Sequence, residues 1–201
     1  MDNFKKSAAA GMMICIGAAI FLANENKIVG AFMFSIGLFT ICFFGMNLFT
    51  GKIGYVIDNK NNPNCAVIWL GNLVGGVVSA LLIRFAKPQF FETAHAMMEK
   101  KFSQHPLQTM VLSFFCGVLM YVAVENHRSN KNNAAKIVGI FLAVPTFILA
   151  GFEHSIADMC YAAFGAANIG EALHSLWYVA LVSVFNGAGA LAVRYLSKEK
   201  S

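Results

Sequence analysis

The stretch Gly151-Phe152-Glu153-His154-Ser155-Ile156-Ala157-Asp158 places three ionisable side chains at the end of an uncharged apolar run that begins at Ile137. A run of that composition reads as a membrane span, and ionisable groups at membrane depth are costly to hold in lipid. They are kept where they face protein or a water-filled path, so they point to transport or catalysis. The polar step at Glu153-His154-Ser155 also interrupts the apolar pattern before it resumes at Ile156. Irregular backbone at that depth is tolerated only where it is buried in protein or lines a cavity.

The composition around this stretch supports the membrane reading. The chain has 201 residues, 58% hydrophobic and 12% charged, against about a quarter charged in ordinary soluble domains. A helix needs roughly 20 apolar residues to cross the hydrocarbon core. Uncharged runs at 7–23, 28–51, 65–83, 106–124, 137–152 with a continuation to 165, and 172–193 give six candidates. They set a single transmembrane domain over 1–201, with spans at about 7–23, 28–57, 65–86, 106–126, 137–165 and 172–196. The first run follows Lys5 and Lys6 in the manner of a signal peptide, but five spans come after it, so it reads as a retained helix.

With six spans both termini share one side. That side collects Lys5, Lys6, Lys52, Lys60, Arg128, Lys131, Lys136, Arg194, Lys198 and Lys200, whereas Lys27, Arg84, Lys87, Lys100 and Lys101 fall opposite. The positive-inside rule then puts both termini in the cytoplasm. Basic loops account for the net charge of +5 without nucleic acid as a partner. Cys15, Cys42, Cys65, Cys116 and Cys160 are scattered with no C-x-x-C pair. They read as small packing residues rather than metal ligands or disulfides, and no cofactor is expected.

The two halves echo each other. Cys15-Ile16-Gly17 is matched by Phe115-Cys116-Gly117, Gly45-x-Asn47 by Gly151-x-Glu153, and Asn72 to Gly75 by Asn186 to Gly189. Three weak matches in one order suggest a three-span repeat. An odd number of spans forces the two copies into opposite orientations, the inverted repeat common among transporters. The second and fifth helices are then broken at corresponding places, near Phe49-Thr50-Gly51 and His154-Ser155. That brings Thr50 and His154 together at a midplane site. For Thr50 the competing reading is a hydroxyl bonded back to its own helix.

Leu48-Phe49-Thr50-Gly51 and Gly151-Phe152-Glu153-His154-Ser155-Ile156-Ala157 resemble the two signature segments of the formate/nitrite transporter family, and Gly71-Asn72 opens the third span in the family manner. The resemblance covers the whole chain. It implies an aquaporin-like all-α fold, a homopentamer with one pore per protomer, and passage of formate, nitrite or hydrosulfide, often with a proton. It places the pore histidine on His154 and its threonine partner on Thr50. The cytoplasmic constriction falls on Leu38, Leu48 and Phe49, the periplasmic one on Phe34 and Phe147, and the vestibule lysine on Lys100 or Lys101. Glu153, Asn72, Asn186 and Cys116 fall around the site. Cys116 and Asp158 stand where many members carry asparagine, Phe185-Asn186 stands for the usual Gly-Asn, and the amino-terminal segment is short.

These expectations define a multi-pass channel or transporter of the inner, cytoplasmic membrane, and not an enzyme. An anion cannot pass rings of Phe and Leu as a bare charge, because desolvation costs many kcal/mol. A vestibule lysine raises local anion concentration. A proton reaching the anion near His154, from the ring or from water, lets the neutral acid cross. Burial keeps such a ring neutral at rest, with Glu153 or a backbone group orienting it. Plain packing is the competing reading for Phe34, Phe49 and Phe147. The alternative function is a membrane-embedded haem or quinone redox subunit, which needs a second histidine at the depth of His154. A water or glycerol channel lacks its paired Asn-Pro-Ala half-helices, since Asn62-Pro63 and Asn133-Ala134 sit in loops.

Overall fold

A computed structural model describes residues 2–58 and 63–197, so Lys60, Asn62, Lys198 and Lys200 of the sequence argument lie outside the described residues. In chain order the helices are α1 (Asp2–Ala23), α2 (Lys27–Phe43), α3 (Phe49–Lys52) with a 3-10 turn at Ile53–Tyr55, α4 (Cys65–Ala86), α5 (Phe90–Phe102), α6 (Pro106–Ser129), α7 (Asn133–Leu149), α8 (Ser155–Gly165) and α9 (Ile169–Ser197). No strand occurs among the described residues. The helices α1, α4, α6 and α9 are long and apolar enough to cross a membrane. Leu82, Phe85, Ile169 and Trp177 are exposed on the outside, as a lipid-facing surface requires.

The helices α2 and α7 have 17 residues each. At about 1.5 Å per residue, each covers about 25 Å, short of a hydrocarbon core of ~30 Å. Both stop in the same way. Gly45 and Gly151 adopt left-handed backbone, φ 61° and 69°. The N–H of Met46 then reaches the Ile41 carbonyl at 2.9 Å, and that of Gly45 reaches Cys42 at 3.3 Å. In α7 the Phe152 N–H reaches Phe147 at 2.9 Å and the Gly151 N–H reaches Ile148 at 3.1 Å. This double bond pattern satisfies the last carbonyls of a helix and favours glycine at the turning residue. The chain resumes as a helix at Phe49 in one half and at Ser155 in the other.

Two buried asparagines hold the restarts. Asn72 on α4 accepts the Phe49 N–H at 2.8 Å and donates to the carbonyls of Ser7, at 2.7 Å, and Asn47, at 2.9 Å. Asn186 on α9 accepts the Ser155 N–H at 3.0 Å and donates to Ser113, at 2.7 Å, and Glu153, at 2.8 Å. One side chain thus pins a break to the long helix beside it, twice over.

The same correspondence runs through the packing. The helix α1 lies along α4 and α6 lies along α9, while α2 and α7 face each other. A Cβ on Gly75 would overlap the Ala8 carbonyl, and one on Gly189 would overlap Phe114. Small residues at those positions let the backbones approach closely. The pairing of Gly17 with Gly117 needs correction on contacts. Gly117 meets the Asn186 carbonyl, and its counterpart against Asn72 is Gly11, whereas Gly17 faces Phe34.

The segment that follows α4 forms α5. It buries Phe90, Ala94 and Met98, with Phe90 edge-on to Phe164 of α8 at 5.8 Å. Its apolar face therefore rests on protein, and its last turn delivers Lys101 to the interior.

Replacing Asn186 by Ala strands one buried N–H and two buried carbonyls, at about 1–3 kcal/mol for each group left unsatisfied. The melting temperature in mild detergent is expected to fall sharply for Asn186→Ala and for Asn72→Ala, and to stay unchanged for Lys5→Ala. Thermal unfolding followed by circular dichroism checks this.

Candidate functional site

The two restarts meet at a buried pair. His154 is the residue before α8, and its Nδ1 accepts the Ala157 N–H at 3.1 Å, capping that helix. A nitrogen that accepts carries no proton, so the neutral ring holds its proton on Nε2. That nitrogen lies 2.9 Å from Thr50 Oγ1, which accepts from it. The orienting group is thus the backbone of α8, while the Glu153 carboxylate points elsewhere. Thr50 is fully buried and His154 is 2% exposed. The threonine hydroxyl is directed across the molecule to the histidine rather than spent on its own helix.

Aromatic rings wall the pair on one side. Phe147 stacks on the His154 ring with centroids 5.4 Å apart, and Phe34 meets Phe147 edge-on at 6.2 Å. Both line a cavity of about 220 Å³ that reaches His154 and also takes in Lys100, Lys101, Glu153 and Asp158. A second cavity of about 140 Å³, lined by Leu48, Lys52, Tyr55, His127 and Arg128, approaches from the α3 side. Leu38, Leu48 and Phe49 are buried in the core between α2, α3 and their neighbours. Leu48 occupies in the first half the place that His154 holds in the second, directly before the restarting helix.

Of the two lysines expected at a vestibule, Lys100 is exposed and Lys101 turns inward. Lys101 pairs with Glu153 and, at 3.1 Å, with Asp158 Oδ1. Gln104 donates to the other oxygen of Glu153 at 3.4 Å. The ion pair of Asp158 was not anticipated in sequence, although its place four residues after His154 puts it one helical turn along α8. Cys116 is fully buried.

A second network, also unforeseen, closes the α3 side. The Tyr55 hydroxyl donates to Glu125 at 2.6 Å, and Arg128 binds both oxygens of Glu125 at 3.0 Å. Arg194 binds both oxygens of Asp58, at 2.9 and 3.0 Å, and donates to the Tyr121 hydroxyl at 2.9 Å. These residues tie the turn after α3 to the ends of α6 and α9. The remaining histidines lie apart from His154 in their contacts. His95 sits against the Gly165 carbonyl at 2.9 Å, His105 caps α6, and His174 stacks on Phe102 at 4.5 Å.

An all-helical membrane fold with two clamped helix breaks, meeting at a polar pair between two cavities, is the frame of a transport protein. The formate/nitrite transporter family model matches residues 1–197, and the chain belongs to that family. The formate channel FocA of Haemophilus influenzae is 25% identical over 181 residues, covering 78% of this chain and 64% of FocA, so the match spans just under two thirds of that relative. The nitrite transporter NirC of Escherichia coli is 27% identical over 217 residues, covering 94% of this chain and 80% of NirC. Among solved structures, a pentameric formate channel with formate bound superposes with a TM-score of 0.78 at 23% identity, over 97% of this chain and 95% of that one. An ion channel of the same family gives 0.79 at 23% identity, over 96% and 86%. The structural likenesses establish the fold.

Removing Lys101 leaves two buried carboxylates around an empty position. Breaking a buried ion pair from one side costs about 3–5 kcal/mol. Lys101→Met is therefore expected to lower the melting temperature more than Lys100→Met, which alters an exposed charge. Parallel melts of the two variants decide it.

Proposed function

We propose that the chain is a pore for small monovalent weak-acid anions, formate, nitrite or hydrosulfide, in the cytoplasmic membrane. The observation that carries this reading is the Thr50–His154 pair, buried between two cavities where two broken helices meet. The proposed topology is six spans in an inverted three-helix repeat, with α2 plus α3 and α7 plus α8 as the broken members. The matched turns at Gly45 and Gly151 and the matched clamps at Asn72 and Asn186 support it. The start of α1 and the end of α9 both lie on the α3 side: the Lys6 carbonyl accepts from Asn47, and Arg194 holds Asp58. With the basic residues this argues for cytoplasmic termini. A homopentamer is proposed from the pentameric relative.

In this mechanism an anion collects in the α5-side cavity near the exposed Lys100. It passes the Phe34 and Phe147 rings and meets the Nε2–H of His154 and the hydroxyl of Thr50. Beyond lies the apolar barrier of Leu38, Leu48 and Phe49, which the neutral acid crosses at far lower desolvation cost than the anion. The source of the proton bears on the role of His154. An imidazolium would turn Nδ1 into a donor facing the Ala157 N–H, so the helix cap opposes it. His154 acts as a neutral hydrogen-bond donor, and the proton arrives through water. The reading is transport rather than catalysis.

The test is uptake into proteoliposomes of formate, nitrite, hydrosulfide, acetate and chloride. The weak-acid anions are expected to pass and chloride to be excluded; equal rates for all, or none above protein-free vesicles, would sink the proposal. Phe49→Ala is expected to admit acetate, and an unchanged selectivity would assign Phe49 to packing alone. Asn at position 154 can still cap α8 and still donate a hydrogen bond, yet does not titrate. His154→Asn is therefore expected to transport formate with the parent's pH profile, while His154→Phe loses most of the flux. A flat profile in the Asn variant would instead put the transferable proton on the ring.

A further inference from the structure

We propose that Asp158 sets the charge of the α5-side cavity, so that a small anion binds there only while Asp158 carries a proton. This inference rests on the transport reading above and assigns its pH response to a residue outside the Thr50–His154 pair.

Among the described residues Lys101 is the one cation in contact with two carboxylates, Glu153 and Asp158, and the three side chains are 15%, 2% and 1% exposed. With both carboxylates ionised the cluster carries one negative charge, and two like charges around one buried ammonium resist full ionisation. Hydrogen bonding distinguishes the two acids. Both oxygens of Glu153 are engaged, one by Lys101 and one by Gln104. Asp158 engages only Oδ1, and its buried Oδ2 has no hydrogen-bond partner among the described residues. A buried carboxylate needs its remaining lone pairs satisfied, whereas a carboxylic acid with its proton on Oδ2 needs one acceptor. The Glu153 carboxylate beside it supplies that acceptor.

Among the described residues the surroundings of the cluster add no second cation at this depth. Lys101 and the exposed Lys100 come from α5, Glu153 from the turn before α8, and His154 stands at the start of α8 with its proton committed toward Thr50. The titratable groups that feel Asp158 are Cys116 on α6 and Tyr178 on α9, with Cys160 and Tyr161 on its own helix α8. Thiols and phenols are neutral by their ordinary values near pH 7.

The consequence is linkage. With Asp158 ionised, the field of Lys101 is already overbalanced and an arriving anion is repelled. With a proton from solvent on Asp158, the cluster is neutral and the Lys101 ammonium no longer faces a net negative charge around it. Anion and proton then bind together, each favouring the other.

The test uses nitrate, a strong-acid anion whose own charge does not change with pH, as an inhibitor of formate uptake into proteoliposomes. For the parent, the nitrate concentration giving half-inhibition is expected to fall as pH falls, by about tenfold per pH unit on the alkaline side of a one-proton linkage. In Asp158→Asn it should be low and independent of pH. Asp158→Ser is a second neutral variant should the first not assemble. Asp158→Glu and His154→Asn should keep the parent's slope. A flat nitrate curve in the parent, or a slope surviving in a neutral variant, overturns the proposal. Absence of protein-dependent formate uptake under all conditions would instead defeat the transport reading.

Discussion

A helix that stops inside an apolar layer leaves carbonyls at its end, and the helix that restarts leaves N–H groups, with no water to receive either. In this protein the stopped ends are closed by the turns at Gly45 and Gly151, and the restarts are taken up by Asn72 and Asn186. Each asparagine spends its whole amide on three backbone partners in two or more elements. Without those bonds a break at this depth would cost several kcal/mol in unsatisfied groups. With them, a short helix can begin in the interior and aim its first residues at the centre.

What the breaks present is asymmetric although their scaffolding is matched. The first half offers Leu48 and Phe49 before Thr50, and the second offers Glu153 and His154 before Ser155. One half supplies apolar side chains and a hydroxyl; the other supplies a ring whose tautomer is fixed by the helix it caps. Polar chemistry is therefore confined to one contact, Thr50 to His154, with aromatic and aliphatic side chains on either side. In the proposed pore a site of that kind selects by whether a solute can shed its charge.

Charge is managed at a distance from the pair. On the α5 side Lys101 is held by two carboxylates, and on the α3 side Arg128 and Arg194 are held by Glu125 and Asp58. The second group also braces the turn that follows Thr50, because Tyr55 and Asp58 belong to that turn and Glu125 and Arg194 to the long helices. Thr50 is positioned by Asn72 from one end of its segment and by this network from the other.

Apolar run length and charge placement by themselves determined that the chain is a helical membrane protein, and the polar interruptions at Thr50 and His154 marked where its runs break. Those features are local, so they survive in one dimension. The Asn72 and Asn186 matches were visible as repeated letters, but their meaning was not, since a capping bond to residues 23 and 31 positions away has no local signature. The choice between Lys100 and Lys101 was equally closed to sequence, because neighbours on a helix point about 100° apart and only the seating of α5 on α8 turns one of them inward. Asp158 stood out as a departure from a pattern; that it shares Lys101 with Glu153 was decided by tertiary structure. Electrostatic partners are set by distances through space, and in this fold those distances join α5, α8 and the break between α7 and α8.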